Sequence, residues 1–418
     1  MDHSRSPRRR AANGAASSLP ASATASVVGS GQNESLLTVR LLSGREIAKV
    51  PVCHRDPVKK VRLAVAKAEG SSASAFDLVL AGRLLADQEI VGSCGLLTNE
   101  GGELLAVRVP PFRVLTASDD HLARLYDGVT GNLLQVFRGH RNAVKAAVFS
   151  PNGDAILTAS DDFSVGLFDA TNGRCTWRFR AHRNNVNSAV FSPDGHSVLT
   201  ASDDGTAKLF SRTTGRCEWT FQGHKNVVNS AVFSPDGRSV LTASDDGTAK
   251  LCDARSGQCQ RTFAGRRGAG LRSVAVSPCG GRALAAVSSC GCSVALCRPV
   301  DDGVAQLFDV ASGQCELVLE GHGDDVCSAV FSPDGFKVLT ASLDKCVRLF
   351  DAKTGTCERT FETHTDFVNY AAFSQDGSKV LTACDDGYAR IFNVDSGECQ
   401  RRYDVRSPVK MAVFAREA

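Results

Sequence analysis

A unit of about 42 residues recurs down most of this chain, and no other feature restricts its fold so strongly. Residues 187–209 (NSAVFSPDGHSVLTASDDGTAKL) and 229–251 (NSAVFSPDGRSVLTASDDGTAKL) differ only at His196 and Arg238. A period of this length marks an architecture in which each unit buries its apolar face against its neighbours. Such a fold is usually a platform for partners and not a reaction vessel.

Within one unit, residues 226–234, 239–244, 248–253 and 258–263 read as short strands. Each is apolar or alternating, and the breaks are Pro235-Asp236-Gly237, Asp245-Asp246-Gly247 and Ser256-Gly257. Four short antiparallel strands per unit make a propeller blade. Residues 113–137 supply three strands with no innermost strand before them, and residues 408–415 supply an innermost strand with nothing after it. The two ends therefore complete one blade together, which closes the ring and removes its open edges. The expected fold class is an all-β seven-bladed propeller over residues 110–418, with an insertion at 289–300, preceded by a small α+β domain.

Gly139-His140, Gly223-His224 and Gly321-His322 recur in register, with Ala181-His182 and Thr363-His364 as variants. Units close on Tyr126-Asp127, Phe168-Asp169, Phe308-Asp309 and Phe350-Asp351. In these features residues 113–415 resemble the WD-repeat family. Phe stands for the family's Trp at 168, 210, 308, 350 and 392, Cys252 is smaller again, and Arg266 replaces a histidine. Blades four and five are accordingly expected to be the ring's soft point.

Each unit also holds the residue types of a nucleophilic triad: His140, Ser160, Asp162; His182, Ser202, Asp204; His224, Ser244, Asp246; His322, Ser342, Asp344; and His364 with Asp386. An active site is not built five times at one slot. The resemblance implies instead a buried network tying the loop before the innermost strand to the turn after the second. With no glycine-rich phosphate loop and no unrepeated nucleophile, no catalytic residue is assigned and no enzyme is expected.

Six of the sixteen cysteines, Cys175, Cys217, Cys259, Cys315, Cys357 and Cys399, share one slot of the repeat. Equivalent slots in neighbouring sheets lie roughly 10 Å or more apart, beyond the ~7 Å reach of a disulfide. They read as free, small apolar residues in a reducing compartment, cytoplasm or nucleus. Cys290, Cys292 and Cys297 in the insertion, with Cys279 upstream, lack the paired spacing of a zinc site. No metal or other cofactor is expected.

Residues 36–109 do not repeat. A hairpin around Ser43-Gly44, a helix over 57–69 and return strands at 77–80 and 104–109 follow in order. Val58, Val61, Leu63 and Val65 carry the helix's apolar spacing. This order, and the stretch DLVLAGRLLAD at 77–87, resemble ubiquitin. The resemblance implies a β-grasp docking module with a binding surface centred on Val79 and Val107 and with Arg83 at its edge. Gly101-Gly102 precede the last strand, so conjugation through them is not expected. Residues 1–35, basic and then Ala/Ser-rich, read as a solvated tail.

A net charge of +3 imposes no global field, and no apolar run is long enough to span a membrane. With 6% aromatics, stacking platforms for nucleic acid are scarce. In WD-repeat propellers the loops before the innermost strands are the usual contact surface. Here blades two to five present Arg141, Lys145, Arg183, Lys225, Arg266, Arg267 and Arg272, interleaved with Asn187 and Asn229, while blades six and seven present Asp324, Asp325 and Asp366. A rim that is basic on one side and acidic on the other suits a protein or peptide partner, acidic or phosphorylated, whose binding weakens with salt. The expected function is an interaction scaffold. Two alternatives follow from resemblance: the domain order is that of Notchless-type ribosome assembly factors, and Cys252-Asp253-Ala254-Arg255 is a degenerate copy of the Trp-Asp-x-Arg signature of cullin ubiquitin-ligase substrate receptors. The oligomeric state is left open.

Overall fold

Met1–Pro111 and Phe112–Ala418 form two compact units. In this computed structural model the described residues are 112–289 and 303–415, and, in the first unit, Ser22–Gly29, Ser35–Leu41, Glu46–Val52, Val58–Ala68, Phe76–Leu80, Arg83–Leu84 and Leu104–Arg108.

Seven four-stranded antiparallel sheets build the second unit. Blade 1 takes its innermost strand, Val409–Phe414, from the far end of the chain, and its others, Arg113–Ser118, Ala123–Asp127 and Leu133–Phe137, from the near end. Val409 lies opposite Ser118 and Phe414 opposite Val114. Blades 2 to 7 are single meanders that begin at Val144–Phe149, Val186–Phe191, Val228–Phe233, Ala269–Val276, Val326–Phe331 and Val368–Phe373. Because strands alternate in direction, the Ser-Pro-Asp-Gly turns collect on one face. The Asp-Asp-Gly turns and the blade-to-blade loops collect on the other.

The second strand of each blade is the core element. Ala155–Ser160 is buried along its whole length, since neighbouring sheets cover both its faces, and its continuous apolar run follows from that. A phenyl ring from the third strand then wedges against the preceding blade. Phe168 meets Phe137 at 5.6 Å between ring centres, and Phe308 meets Phe263 at 5.5 Å. At the seam, Tyr403 of blade 7 packs on Tyr126 of blade 1 at 5.4 Å and donates its hydroxyl to the Gly128 carbonyl at 2.8 Å. Ring contacts and one hydrogen bond replace the missing indoles.

The six repeated cysteines are free, as expected. Five are exposed and Cys399 is half-buried. They open the outermost strand, one face of which meets solvent. Cys290, Cys292 and Cys297 lie outside the described residues; the insertion joins Arg282–Ser289 to Val304–Asp309, the second and third strands of blade 5.

In the first unit the helix Val58–Ala68 packs on Glu46–Val52 and Phe76–Leu80. Val58, Val61 and Val65 are buried with Val50 and Val52, whereas Leu63, two positions from Val61, falls on the opposite side and is 50% exposed. The expected tail contains a strand, Ser22–Gly29, which pairs antiparallel with Ser35–Leu41 and with Leu104–Arg108. Low charge and the β-branched Thr24, Val27 and Val28 suit that segment to a ladder. Residues 1–21 lie outside the described residues.

Candidate partner-binding face

In blades 2, 3, 4, 6 and 7 the loop before the innermost strand is anchored by one histidine. His140 Nδ1 lies 3.0 Å from Asp162 Oδ2, and Nε2 lies 2.7 Å from the Thr158 hydroxyl. An ionised carboxylate can only accept, so Nδ1 carries the proton and Nε2 accepts from Thr158. Blades 3, 4 and 6 repeat the arrangement with His182, Asp204 and Thr200; His224, Asp246 and Thr242; and His322, Asp344 and Thr340. Burial alone would raise the Asp162 carboxyl, but the Ser164 hydroxyl, the Arg141 N–H and His140 outweigh it and hold it at about 2. Burial in turn holds His140 below the ordinary histidine value, against the pull of Asp162. A neutral, buried imidazole fixed at both nitrogens is a tie and not a base awaiting substrate.

The serines have a different task from the one the triad pattern suggests. Ser160 donates to the Asn142 carbonyl at 3.1 Å and accepts from the Asp162 N–H at 3.1 Å; it is not the partner of His140. Ser202, Ser244 and Ser342 bond the equivalent carbonyls of Asn184, Asn226 and Asp324. Threonine two residues earlier completes the network. It shares a strand face with the serine, and it lies one step further from the turn, where the histidine Nε2 reaches it while the serine is taken up by the loop carbonyl.

Blade 7 breaks the pattern. His364 Nε2 reaches Thr382 at 2.8 Å, but the structure does not bring its Nδ1 to Asp386. Both Asp386 oxygens accept instead from Arg390, at 3.0 and 2.7 Å. In blade 1, Arg124 pairs likewise with Asp120. Blade 5 has Arg266 at the histidine slot and Ala285 at the threonine slot.

The same register runs through the sequence comparison. A family model described as "WD domain, G-beta repeat" matches residues 131–169, 173–211, 215–253, 313–351 and 355–393. The propeller contains five WD repeats. Each match begins at the outermost strand of one blade and ends at the third strand of the next, so every WD repeat straddles two blades. No curated protein matches the chain.

The mouth of the WD-repeat ring is zipped by polar side chains that the sequence reading assigned to partners. Asn187 donates to Asp203 at 2.7 Å and to the Val228 carbonyl of the next blade at 3.1 Å. Asn229 does the same to Asp245 at 2.6 Å and to the Leu271 carbonyl at 2.9 Å. Asn369, missed by that reading, joins Asp385 to the Val409 carbonyl. Lys145 pairs with Asp161 at 3.2 Å, and Lys410 bridges Asp385 and Asp119 at 2.7 and 3.2 Å. The doubled aspartates of the Asp-Asp turns were the signal: the first serves the mouth, the second the histidine.

Several other rim charges are engaged. Arg266 lies 4.0 Å from Glu320, and Arg272 donates to the Ser288 hydroxyl at 3.1 Å. Asp324 and Asp366 accept from the next N–H, of Asp325 and Phe367, as Asn142, Asn184 and Asn226 do in their own loops. Arg141, Arg183, Lys225 and Arg267 remain exposed. None of the four has an ion pair among the described residues. Arg141, Arg183 and Lys225 occupy one slot, just after the histidine, where the backbone N–H donates to Asp162, Asp204 and Asp246.

Two shallow clefts border this arc. One, of about 480 Å³, lies between blades 3 and 4 and is lined by Asp203, Thr206, Gly223, His224 and Lys225. The other, of about 420 Å³, is in blade 2, where Arg141, Arg178 and Arg180 surround Phe163 and Phe179. The Arg180 guanidinium stands 5.0 Å over the Phe163 ring. Among the described residues no group of three or more His, Cys, Asp or Glu is placed to hold a metal ion, and no helix is long and apolar enough to cross a membrane.

Proposed function

We propose that the protein is a non-enzymatic interaction scaffold, acting in the cytoplasm or nucleus. In this reading the histidine-loop face of the propeller receives an acidic or phosphorylated segment of a protein partner. The observation that carries it is the single-file arc of Arg141, Arg183 and Lys225. The three cations stand at one slot of three consecutive blades, exposed and without ion pairs among the described residues. A carboxylate or phosphate arriving there meets cations whose backbone is already held, which favours association by electrostatic attraction that salt weakens.

The first unit, read as ubiquitin-like, would dock a second partner through Val79, Arg83 and Val107. A Notchless-type role in ribosome assembly rests on that reading. For the cullin-receptor alternative the supporting feature is Arg255, which is exposed on a turn whose N–H groups are held by Asp253.

The test is partner capture with three full-length forms: wild type, the pair Arg183→Glu with Lys225→Glu, and Arg255→Ala. Loss of partners only in the charge-reversed pair, with recovery blocked by raised salt in wild type, supports the rim. An unchanged partner list in that pair rejects it.

A further inference from the structure

In six blades a cysteine opens the outermost strand, directly across from a residue of the third strand. In five of them that residue is a phenylalanine: Phe168, Phe210, Phe308, Phe350 or Phe392. In blade 4 it is a second cysteine, and Cys252 stands opposite Cys259. Both thiols are free; Cys252 is buried and Cys259 exposed. We propose that Cys252 and Cys259 are a redox-active dithiol that a peroxide closes to a disulfide and a small-molecule thiol reopens.

The register meets the geometric requirement. Residues directly opposite in an antiparallel pair have Cα atoms about 4.5–5.5 Å apart, within the roughly 4.4–6.8 Å that a disulfide spans. Burial first, and then contact with the Cys259 sulfur, push the Cys252 thiol up, so the two sulfurs sense one another before any oxidation. The pairing shifts by one residue beside this pair, between Leu251 and Cys252, and such a bulge re-aims side chains. A disulfide formed at this irregular place, with one sulfur open to solvent, belongs to the readily reduced class.

The chemistry divides between the two positions. Cys259 is the sulfur a peroxide can reach. Its thiolate attacks the peroxide oxygen, the O–O bond breaks, and a sulfenic acid and hydroxide result. Cys252 then attacks the sulfenic sulfur, and its proton leaves with the displaced hydroxyl as water. In sum, two thiols lose two electrons and two protons, and hydrogen peroxide becomes two waters. Where Phe stands opposite, no sulfur is present across the ladder to resolve the sulfenic acid. Cys252 also packs with Phe221, Val228 and Val240, so the change at its sulfur is felt between blades 3 and 4.

The test uses the full chain, exposed to hydrogen peroxide, blocked with N-ethylmaleimide and mapped by mass spectrometry after trypsin. Cleavage at Arg255 puts the two cysteines on separate peptides, 251–255 and 256–261, so their linkage is read directly. The expected result is a 252–259 disulfide that forms at least about fivefold faster than modification at Cys217 or Cys357 and is reversed by dithiothreitol. Cys252→Phe, which restores the ring of the other blades, should abolish the link and leave Cys259 as a sulfenic acid trapped by dimedone. Cys259→Ala, at an exposed position, should protect Cys252 from oxidation. Oxidation of Cys259 at the rate of Cys217 without a 252–259 link overturns the proposal, as does its linkage to any other cysteine or unchanged oxidation of Cys252 in Cys259→Ala.

Discussion

Arg390 holds both carboxylate oxygens of Asp386, at 3.0 and 2.7 Å, in the position where four other blades present a histidine to the equivalent aspartate. The pair is almost wholly buried, with 3% and 7% of the two side chains exposed. Blade 7 thus closes its turn with a planar fork that no lysine can imitate.

Removing Arg390 should therefore be costly, because Asp386 stays buried without its counter-charge. Arg390→Met is expected to lose about 3 kcal/mol, and Arg390→Lys to recover only part of it. Urea unfolding midpoints of the two variants against wild type provide the check.

Acid should weaken the ring in two stages. Burial, and then the Arg390 charge, hold His364 down to about 4. An unfolded histidine titrates near 6.5, so between those values the unfolded chain binds a proton that the folded chain refuses. Stability present above about pH 6.5 is then lost as pH falls towards 4, by about 3 kcal/mol for this one residue. His140, His182 and His224, also held low by burial, act in the same direction. Below the unfolded carboxylate value of about 3.9, protonation of Asp162, Asp204, Asp246 and Asp344, each held at about 2, removes more. Thermal midpoints of wild type and His364→Gln across this range should diverge above pH 4, with the variant's curve the flatter.

Gly303, just before the third strand of blade 5, lies hard against the backbone of blade 6. A Cβ there would stand 2.0 Å from the Asp324 carbonyl oxygen and 2.7 Å from the Val326 nitrogen, both backbone atoms that cannot swing aside. Gly303→Ala is expected to cost about 1–3 kcal/mol. Differential scanning calorimetry would show it as a lowered transition, and an unchanged one would mean that the two blades separate freely.

Softness expected of blades 4 and 5 together should be confined to blade 5. Blade 4 keeps His224, Asp246 and Thr242 in full, whereas blade 5 has Ala285 opposite Ala275's neighbour Val274 and no histidine at its loop. Amide exchange in Arg282–Ser289 should be faster than in Ser239–Ser244, the matching strand of blade 4. Equal protection would show that apolar packing of Leu271, Val287 and Phe308 makes good the missing ties.

The number of blades and the closing strand were legible because turn residues and apolar runs recur in register, and two incomplete ends sum to one unit. The partners within the network were less legible. Thr158 and Ser160 share a strand face, and only the depth to which His140 reaches along that face picks out the threonine, so Ser160, nearer the turn, looks the better candidate in the sequence. Asn187 and Asn229 read as surface amides because their second acceptor belongs to another blade, 41 and 42 residues away. Contacts that depend on the curvature of the ring leave no local pattern, whereas those made by a turn on itself do.

The strand that completes blade 1 pairs with residues roughly 300 positions earlier in the chain. During synthesis, therefore, Arg113–Ser118 waits with an unpaired edge while six blades are made beside it. Bringing such distant segments together is slow, and an open strand edge in the interval is a site for pairing with another chain. A nascent propeller of this kind keeps that edge open until Lys410 reaches between Asp385 and Asp119 and latches the circle.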